Sequence, residues 1–285
     1  MKITIIIPTY NEEDVISECL HSLEIQSFTD FEVIVIDDGS TDKTLRVLSE
    51  LRIKNRMHRN ACELRILKQE HRGAGAGRNL GAMHAIGEIL VFVDSDMTFD
   101  QDFIRNLTSP IINGKSRGTF SKDEYVANWN NVWSRCWNIN EGWENKKRHP
   151  KNYTDTQKVF RAILKSEFDR VGGFTAGGYN DDWSLSEKLG YEAEVAEKAI
   201  FFHKNPESLK EIFNHAKWVG KRSYKFGWLG YFVGLIRSSL PVSLVSGILH
   251  ATFYLLPAFI IFKVIYDFGI FVGILSYMYT KKGSK

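Results

Sequence analysis

Apolar and polar positions fall into short alternating blocks over the first hundred residues. Residues 2–8 form a nearly continuous β-branched run, the makeup of a strand buried on both faces. Residues 14–25 place Val15, Ile16, Cys19, Leu20 and Leu23 at helical spacing. A second β-branched run follows at 31–36, then a helical stretch at 41–51 with Ser40 or Thr41 as its N-cap candidate. Residues 64–68 read as a third strand, 77–86 as a helix and 89–93 as a fourth strand. This alternation predicts an α/β fold with a mostly parallel sheet flanked by helices. In such sheets ligands bind beyond the carboxyl ends of the strands. The polar clusters lie there: residues 8–12 after the first strand, 37–40 after the second, a glycine-rich stretch after the third and Asp94-Ser95-Asp96 after the fourth. Random placement would scatter them over both ends, so the pattern points to one nucleotide-binding crevice.

The pattern changes after residue 225. Between residues 226 and 279 only Arg237, Lys263 and Asp267 are charged. Residues 241–262 are uncharged over a length that spans a bilayer, which takes ~20 residues. Residues 264–279 are a weaker spanning segment, shorter and carrying Asp267. Lys221, Arg222, Lys225 and Arg237 lie before the apolar core of this region, and Lys281, Lys282 and Lys285 after it. A membrane hairpin with both ends cytoplasmic satisfies the positive-inside rule for both clusters. A buried helical hairpin of a soluble protein is the competing reading, disfavoured by the length of the uncharged run. The expected division is a catalytic region at 1–223 and an amphipathic and transmembrane region at 224–285. Residues 120–153 are hard to assign. Trp129, Trp133 and Trp137 recur there at helical spacing, and core or interface packing explains such a stripe more simply than stacking on a sugar or lipid acceptor.

Composition narrows the function. Lys and Arg number 37 against 34 Asp and Glu, a net charge of +3, which gives no case for a nucleic-acid partner. Cys19, Cys62 and Cys136 are odd in number and far apart, with neither a disulfide framework nor metal-ligand spacing, as suits a reducing compartment. The first residues lack the length and cleavage site of a signal peptide.

The chemistry starts with Asp94 and Asp96. Two carboxylates one residue apart at a strand end can hold Mg²⁺ or Mn²⁺ against a diphosphate. Taken alone, the triplet reads equally as a solvated turn. Gly73, Gly75 and Gly77 invite a dinucleotide-binding reading, but Leu80 stands three residues after Gly77 where that motif needs glycine, and no glycine turn follows the first strand. A glycine-permissive backbone before a helix still suits phosphate.

The blocks Ile-Pro-Thr-Tyr-Asn-Glu (7–12), Ile-Asp-Asp-Gly-Ser-Thr-Asp (36–42), Gly-x-x-x-Gly-Arg-Asn-x-Gly (73–81) and Phe-Val-Asp-Ser-Asp (92–96) occur in that order. Together they resemble the family 2 glycosyltransferases of GT-A fold over roughly residues 1–218. The resemblance implies roles by position. Pro8, Tyr10 and Glu12 match residues lining the nucleobase and ribose pocket, and Asp38 the aspartate that hydrogen-bonds the base. Asp37 matches a more variable neighbour, with a turn role equally open. Arg78 matches the basic residue near the diphosphate, Asp94 a contact to ribose or donor sugar, and Asp96 a metal ligand. Gly172-Gly173-Phe174 followed by Asp181-Asp182 resembles the turn and acid pair in which Asp182 is the general base. A helix-capping role for Asp181 and Asp182 stands beside it. His203 matches a histidine near the metal, with a structural role equally open. Residues 214–218 fall where polymer-making relatives carry Gln-x-x-Arg-Trp. Only Trp218 is kept, which favours single-sugar transfer over a polysaccharide-chain synthase.

These readings give an inverting glycosyltransferase using a nucleotide-sugar donor, Mg²⁺ or Mn²⁺, and a polyprenyl- or lipid-linked acceptor at the cell membrane, with its catalytic domain cytoplasmic. An inactive scaffold of the same fold is the alternative from another class, opposed by the intact Asp94, Asp96 and Asp182. A nucleotidyltransferase would need a glycine-rich loop after the first strand, which is absent.

Overall fold

The computed structural model describes residues 1–55, 63–175, 181–222 and 224–280, so Cys62, Tyr179, Asn180, Lys281, Lys282 and Lys285 lie outside the described residues. The chain forms two compact units, one of residues 1–125 and 152–203, the other of 126–151 and 204–285.

The first unit is built on an eight-stranded sheet. Strands β1 (Ile3–Thr9), β2 (Phe31–Asp37), β3 (Glu63–Lys68) and β4 (Ile89–Phe92) are parallel, in the spatial order β3-β2-β1-β4. Helices α1 (Ile16–Glu24), α2 (Thr44–Asn55) and α3 (Ala74–His84) connect them. Strand β5 (Met97–Phe99) and helix α4 (Phe103–Ile112) follow, then β6 (Gly118–Phe120) and β7 (Glu124–Val126). Later strands β8 (Thr156–Gln157), β9 (Ala162–Leu164), β10 (Ala193–Val195) and β11 (Phe201–His203) complete the set. The large sheet continues from β4 through β9, β6 and β10 to β8, and β9 runs antiparallel to both neighbours. A small sheet joins β5, β11 and β7. Helices α6 (Lys165–Arg170) and α7 (Asp181–Leu189) also belong to this unit.

Every residue of β1 and β2 is buried, as their largely apolar runs suit a sheet covered on both faces, and the buried Glu32 inside β2 accepts from Thr4 Oγ1 at 2.6 Å. One face packs Ile5, Ile7, Val33 and Val35 against α1 and α4; the other packs Ile6, Ile34 and Ile36 toward α3. The glycines of α3 serve this packing. A Cβ on Gly81 would lie 2.5 Å from Ile6 Cγ2, and one on Gly77 3.2 Å from Pro8 Cβ. The missing side chains at these two positions set how closely the helix sits on the sheet. Helix α3 starts at Ala74 rather than 77, entered from Gly73 at φ 89°. Helix α2 starts at Thr44 rather than 41. Asn11 Oδ1 takes the N–H groups of Thr41 (2.7 Å) and Asp42 (3.3 Å), and Asp42 Oδ1 accepts from Thr44 N at 2.9 Å, so neither Ser40 nor Thr41 caps the helix.

The second unit is helical: α5 (Val132–Asn140), α8 (Leu209–Gly220), α9 (Trp228–Arg237), α10 (Leu240–Phe253) and α11 (Ala258–Thr280). Trp137, Ile212, Ala251, Phe259 and Phe262 form its core. Trp133 and Trp137 lie on α5 and Trp129 precedes it, so the stripe is divided and Trp137 is core. The expected span at 241–262 is not one helix. Pro257, which supplies no N–H, and Leu255 at φ 51° separate α10 from α11. The one described helix long and apolar enough to cross a membrane is α11, which contains the Asp267 segment read as weaker. α9 and α10 are bent by 55° where they meet.

Candidate active site

The carboxyl ends of β1, β2 and β4 bring the sequence clusters together. Asp94 and Asp96 lie between β4 and β5, and β11, antiparallel to β5, places His203 opposite Met97. Asp94 sits between two arginines. Its Oδ1 accepts from Arg78 Nη2 at 2.8 Å and its Oδ2 from Arg161 Nη1 at 3.1 Å. Arg78 is buried and also donates through Nη1 to Asp182 Oδ1. Loss of water around Asp94 would by itself raise its pKa, but Arg161 and Arg78 reverse this and hold the carboxyl well below the ordinary range.

A second cluster faces it. His203 Nε2 lies 2.7 Å from Asp96 Oδ2, and its Nδ1 lies 3.1 Å from Glu124 Oε1. Glu12 reaches the same region, and burial together with Asp96, Asp42 and Asp94 pushes its carboxyl up to about 7. Among the described residues no three His, Cys, Asp or Glu side chains converge on one metal position. Two protein ligands nevertheless suit Mg²⁺ or Mn²⁺, which commonly complete their shell with phosphate and water oxygens. Asp96 and His203 are the pair that could supply those two, and Glu124 at the other ring nitrogen holds the imidazole in the way an outer carboxylate would.

At the end of β2, Asp38 is buried and fully engaged. Its Oδ1 accepts from Gln69 Nε2 (2.5 Å) and Arg72 N (2.9 Å), and its Oδ2 from Gly73 N (2.8 Å). It therefore fixes the loop that carries His71, whose ring stacks on Tyr10 at a centroid distance of 4.1 Å. Asp37 takes a turn role, accepting from Ser40 N at 3.3 Å. Pro8 is buried inside β1 against α3, so its side chain serves packing. Tyr10 is 40% exposed and offers a ring face to a ligand.

Two residues of the charged core carry no motif. Arg161 precedes the apolar run of β9 and points back to β4; Glu124 opens β7. The antiparallel crossing of β9 beside β4 brings Arg161 to Asp94, and only the folded sheet order shows it. A charged residue at the head of a buried strand was the one available hint.

The model of Glycosyl transferase family 2 matches residues 4–177. The poly(ribitol-phosphate) beta-N-acetylglucosaminyltransferase TarS of Staphylococcus aureus is 39% identical over 110 residues, covering 37% of this chain and 18% of TarS. The poly(ribitol-phosphate) beta-glucosyltransferase of Bacillus spizizenii is 44% identical over 98 residues, covering 34% of this chain and 15% of that protein. The aligned stretch thus spans less than a fifth of either relative. Among solved structures, S. aureus TarS 1-349 in complex with UDP-GlcNAc superposes with a TM-score of 0.58 at 20% identity, over 98% of this chain and 92% of that one. The mannosyltransferase PcManGT from Pyrobaculum calidifontis, in complex with GDP-Man and Mn²⁺, gives 0.59 at 19% identity, over 96% and 87%. These likenesses show the GT-A type of α/β fold. With the family model covering more than half of its length, the chain belongs to glycosyl transferase family 2.

Proposed function

We propose that the protein transfers one sugar, with inversion, from a nucleoside-diphosphate sugar to a membrane-proximal acceptor. The observation that carries this is Arg78, shared between Asp94 and Asp182 beside the Asp96–His203 pair. One cation thereby joins the residue expected at the donor to the residue expected at the acceptor.

The donor's base lies on Tyr10, on the platform that Tyr10 forms with His71. Arg78 and Arg161 face the diphosphate, and Asp94 faces the ribose or sugar hydroxyls. Mg²⁺ or Mn²⁺, held by Asp96 and His203, would supply positive charge to the leaving diphosphate. The acceptor hydroxyl oxygen attacks C1 of the sugar as the C1–O bond to phosphate breaks. Its proton passes to Asp182, and the bonding electron pair leaves with the nucleoside diphosphate. Arg78 turning toward the diphosphate releases Asp182 Oδ1 to receive that proton. An acceptor that is a lipid phosphate needs no base, and Asp182 then positions it.

The acceptor is polyprenyl- or otherwise lipid-linked. The names of the ribitol-phosphate transferases among the relatives support a phosphate-bearing polyol as the alternative. The functional division is a catalytic region at 1–223 facing the cytoplasm and a membrane-attached region at 224–285, supported by the apolar α9 to α11.

Thermal shift with UDP, GDP, dTDP and CMP, with and without Mn²⁺, tests the donor site. Selective stabilisation by one nucleoside diphosphate in the presence of metal is expected. No shift at saturating ligand would return the fold to a scaffold role. Asp182→Asn should keep that shift and lose transfer to a hydroxyl acceptor; loss of donor binding would make Asp182 a structural partner of Arg78.

A further inference from the structure

The second unit bears a wide apolar surface. Phe226, Trp228, Phe232, Val245, Leu249 and Leu255 are between 54% and 86% exposed. Helix α11 is divided along its length. Ile261, Phe268 and Leu275, seven residues apart, face outward, while Phe259, Phe262, Gly269 and Gly273 face the protein. Charge points to what covers this surface. After Glu211 the sequence holds nine lysines and arginines and a single acid, Asp267, which is buried and bonded to Lys263 Nζ at 2.9 Å. Exposed apolar helices flanked by Arg222, Lys225 and Arg237 match an anionic lipid surface.

Helix α8 sets the depth. It lies against α11 backbone to backbone. A Cβ on Gly269 would stand 2.7 Å from Phe213 O, one on Gly273 2.3 Å from Lys217 O, and one on Gly220 2.5 Å from Ile270 O. No lipid chain fits between them. Yet α8 exposes Lys210, Glu211 and Asn214. If α11 crossed the bilayer, α8 would be drawn into the hydrocarbon with these side chains, where charged groups are costly. The turn between α10 and α11 is tied to the same level, since Ala251, Phe259 and Phe262 share a core with Ile212 of α8 and Trp137 of α5.

We infer that this unit is a monotopic anchor: α9, α10 and α11 lie within one leaflet of an anionic bilayer, apolar faces inward, and α11 does not cross it. The inference rests on the membrane attachment proposed above and fixes its depth. The two fail separately, and neither readout uses transfer activity.

Flotation of the full chain with phosphatidylglycerol-containing and pure phosphatidylcholine vesicles tests attachment. Binding to the anionic vesicles is expected, weakened by salt and by Arg222→Gln, Lys225→Gln and Arg237→Gln at about fivefold per cation removed. Absence of flotation, or a stable dimer that hides the surface from vesicles, would overturn it. Depth is tested with Leu255→Cys in a Cys62→Ser background, treated with a membrane-impermeant maleimide in sealed bacterial spheroplasts. An in-plane anchor leaves residue 255 unlabelled from outside. Labelling from outside would establish a spanning hairpin and overturn the in-plane geometry while leaving attachment intact.

Discussion

Arg161→Gln is the sharpest test of the charged core, because no motif marks that residue. Its side chain is 17% exposed and donates to Asp94 Oδ2 at 3.1 Å, while Asp94 keeps Arg78 at 2.8 Å on the other oxygen. Removing one partner of a buried ion pair typically costs about 3–5 kcal/mol. Asp94 retains a second arginine and its side chain is 32% exposed, so solvent and Arg78 cover part of the loss. A destabilisation of about 1–2 kcal/mol is expected. The assay is urea unfolding of wild type, Arg161→Gln, Asp94→Asn and the double variant, giving a coupling energy of about 1 kcal/mol or more. The pH dependence has a definite sign. Asp94 has its folded pKa depressed, chiefly by Arg161 against the opposing effect of burial. Its stabilisation is present above the unfolded pKa and is lost as pH falls through the folded one. Arg161→Gln should therefore lose this contribution at a higher pH than wild type does. Additive single variants, or an unchanged acid limb, would refute the pairing as a source of stability.

The remaining predictions concern the acidic side of the site. Glu12 titrates at about 7 instead of 4.5, so the folded state holds its proton more tightly and stability declines as pH rises between those values. The shift corresponds to about 3 kcal/mol, reduced to about 2 by partial exposure. Metal-free Glu12→Gln should match wild type near the acid end of that window and melt higher at pH above about 7; parallel melting curves for the two proteins would show that Glu12 does not titrate there. Asp96→Ala should remove the metal-dependent part of the nucleotide thermal shift, and a shift that survives with metal still required would place the ion elsewhere. Glu124→Gln, which leaves both proposed ligands in place, should weaken Mn²⁺ affinity by about 10-fold or more in calorimetry, the usual cost of losing an outer carboxylate. Unaltered affinity would mean that His203 needs no such anchor.

Much of the first unit was legible because its physics is local. Buried parallel strands favour near-continuous apolar runs, and β1, β2, β3 and β4 lie within one or two residues of where those runs predict them. The polar clusters followed from the same rule, since ligand groups in a parallel sheet gather at one end. Local reading failed where a distant residue decides. Asn11 takes the N–H groups that would otherwise begin α2 three residues earlier, across a separation of some thirty residues. Gly77 and Gly81 are needed for packing, a role the sequence does not show because the contacts are with Ile6 and Pro8 on another element. In the second unit hydropathy marked the apolar region correctly and misplaced its helices. A window average passes over Pro257, which divides the stretch, and passes over Asp267, which α11 tolerates because Lys263 pairs with it one turn away.

The charge arrangement would let one small site take the proposed anionic donor while being lined by acids. Glu12, Asp94, Asp96, Glu124 and Asp182 would repel a diphosphate if they stood free. Instead Asp94 and Asp182 engage Arg78 and Arg161, while Asp96 and Glu124 engage His203. Under the proposed function a diphosphate approaching Arg78 and Arg161 would compete with carboxylates for cations already fixed in place, and its binding would weaken existing pairs. One carboxylate that Arg78 would then leave is Asp182. Under the proposed chemistry, occupancy of the donor site and availability of the base are thus one event, since both draw on the same guanidinium. A diphosphate that takes Arg78 would weaken its ion pair with Asp182, so under the proposed chemistry the carboxylate would be the stronger base once donor is bound.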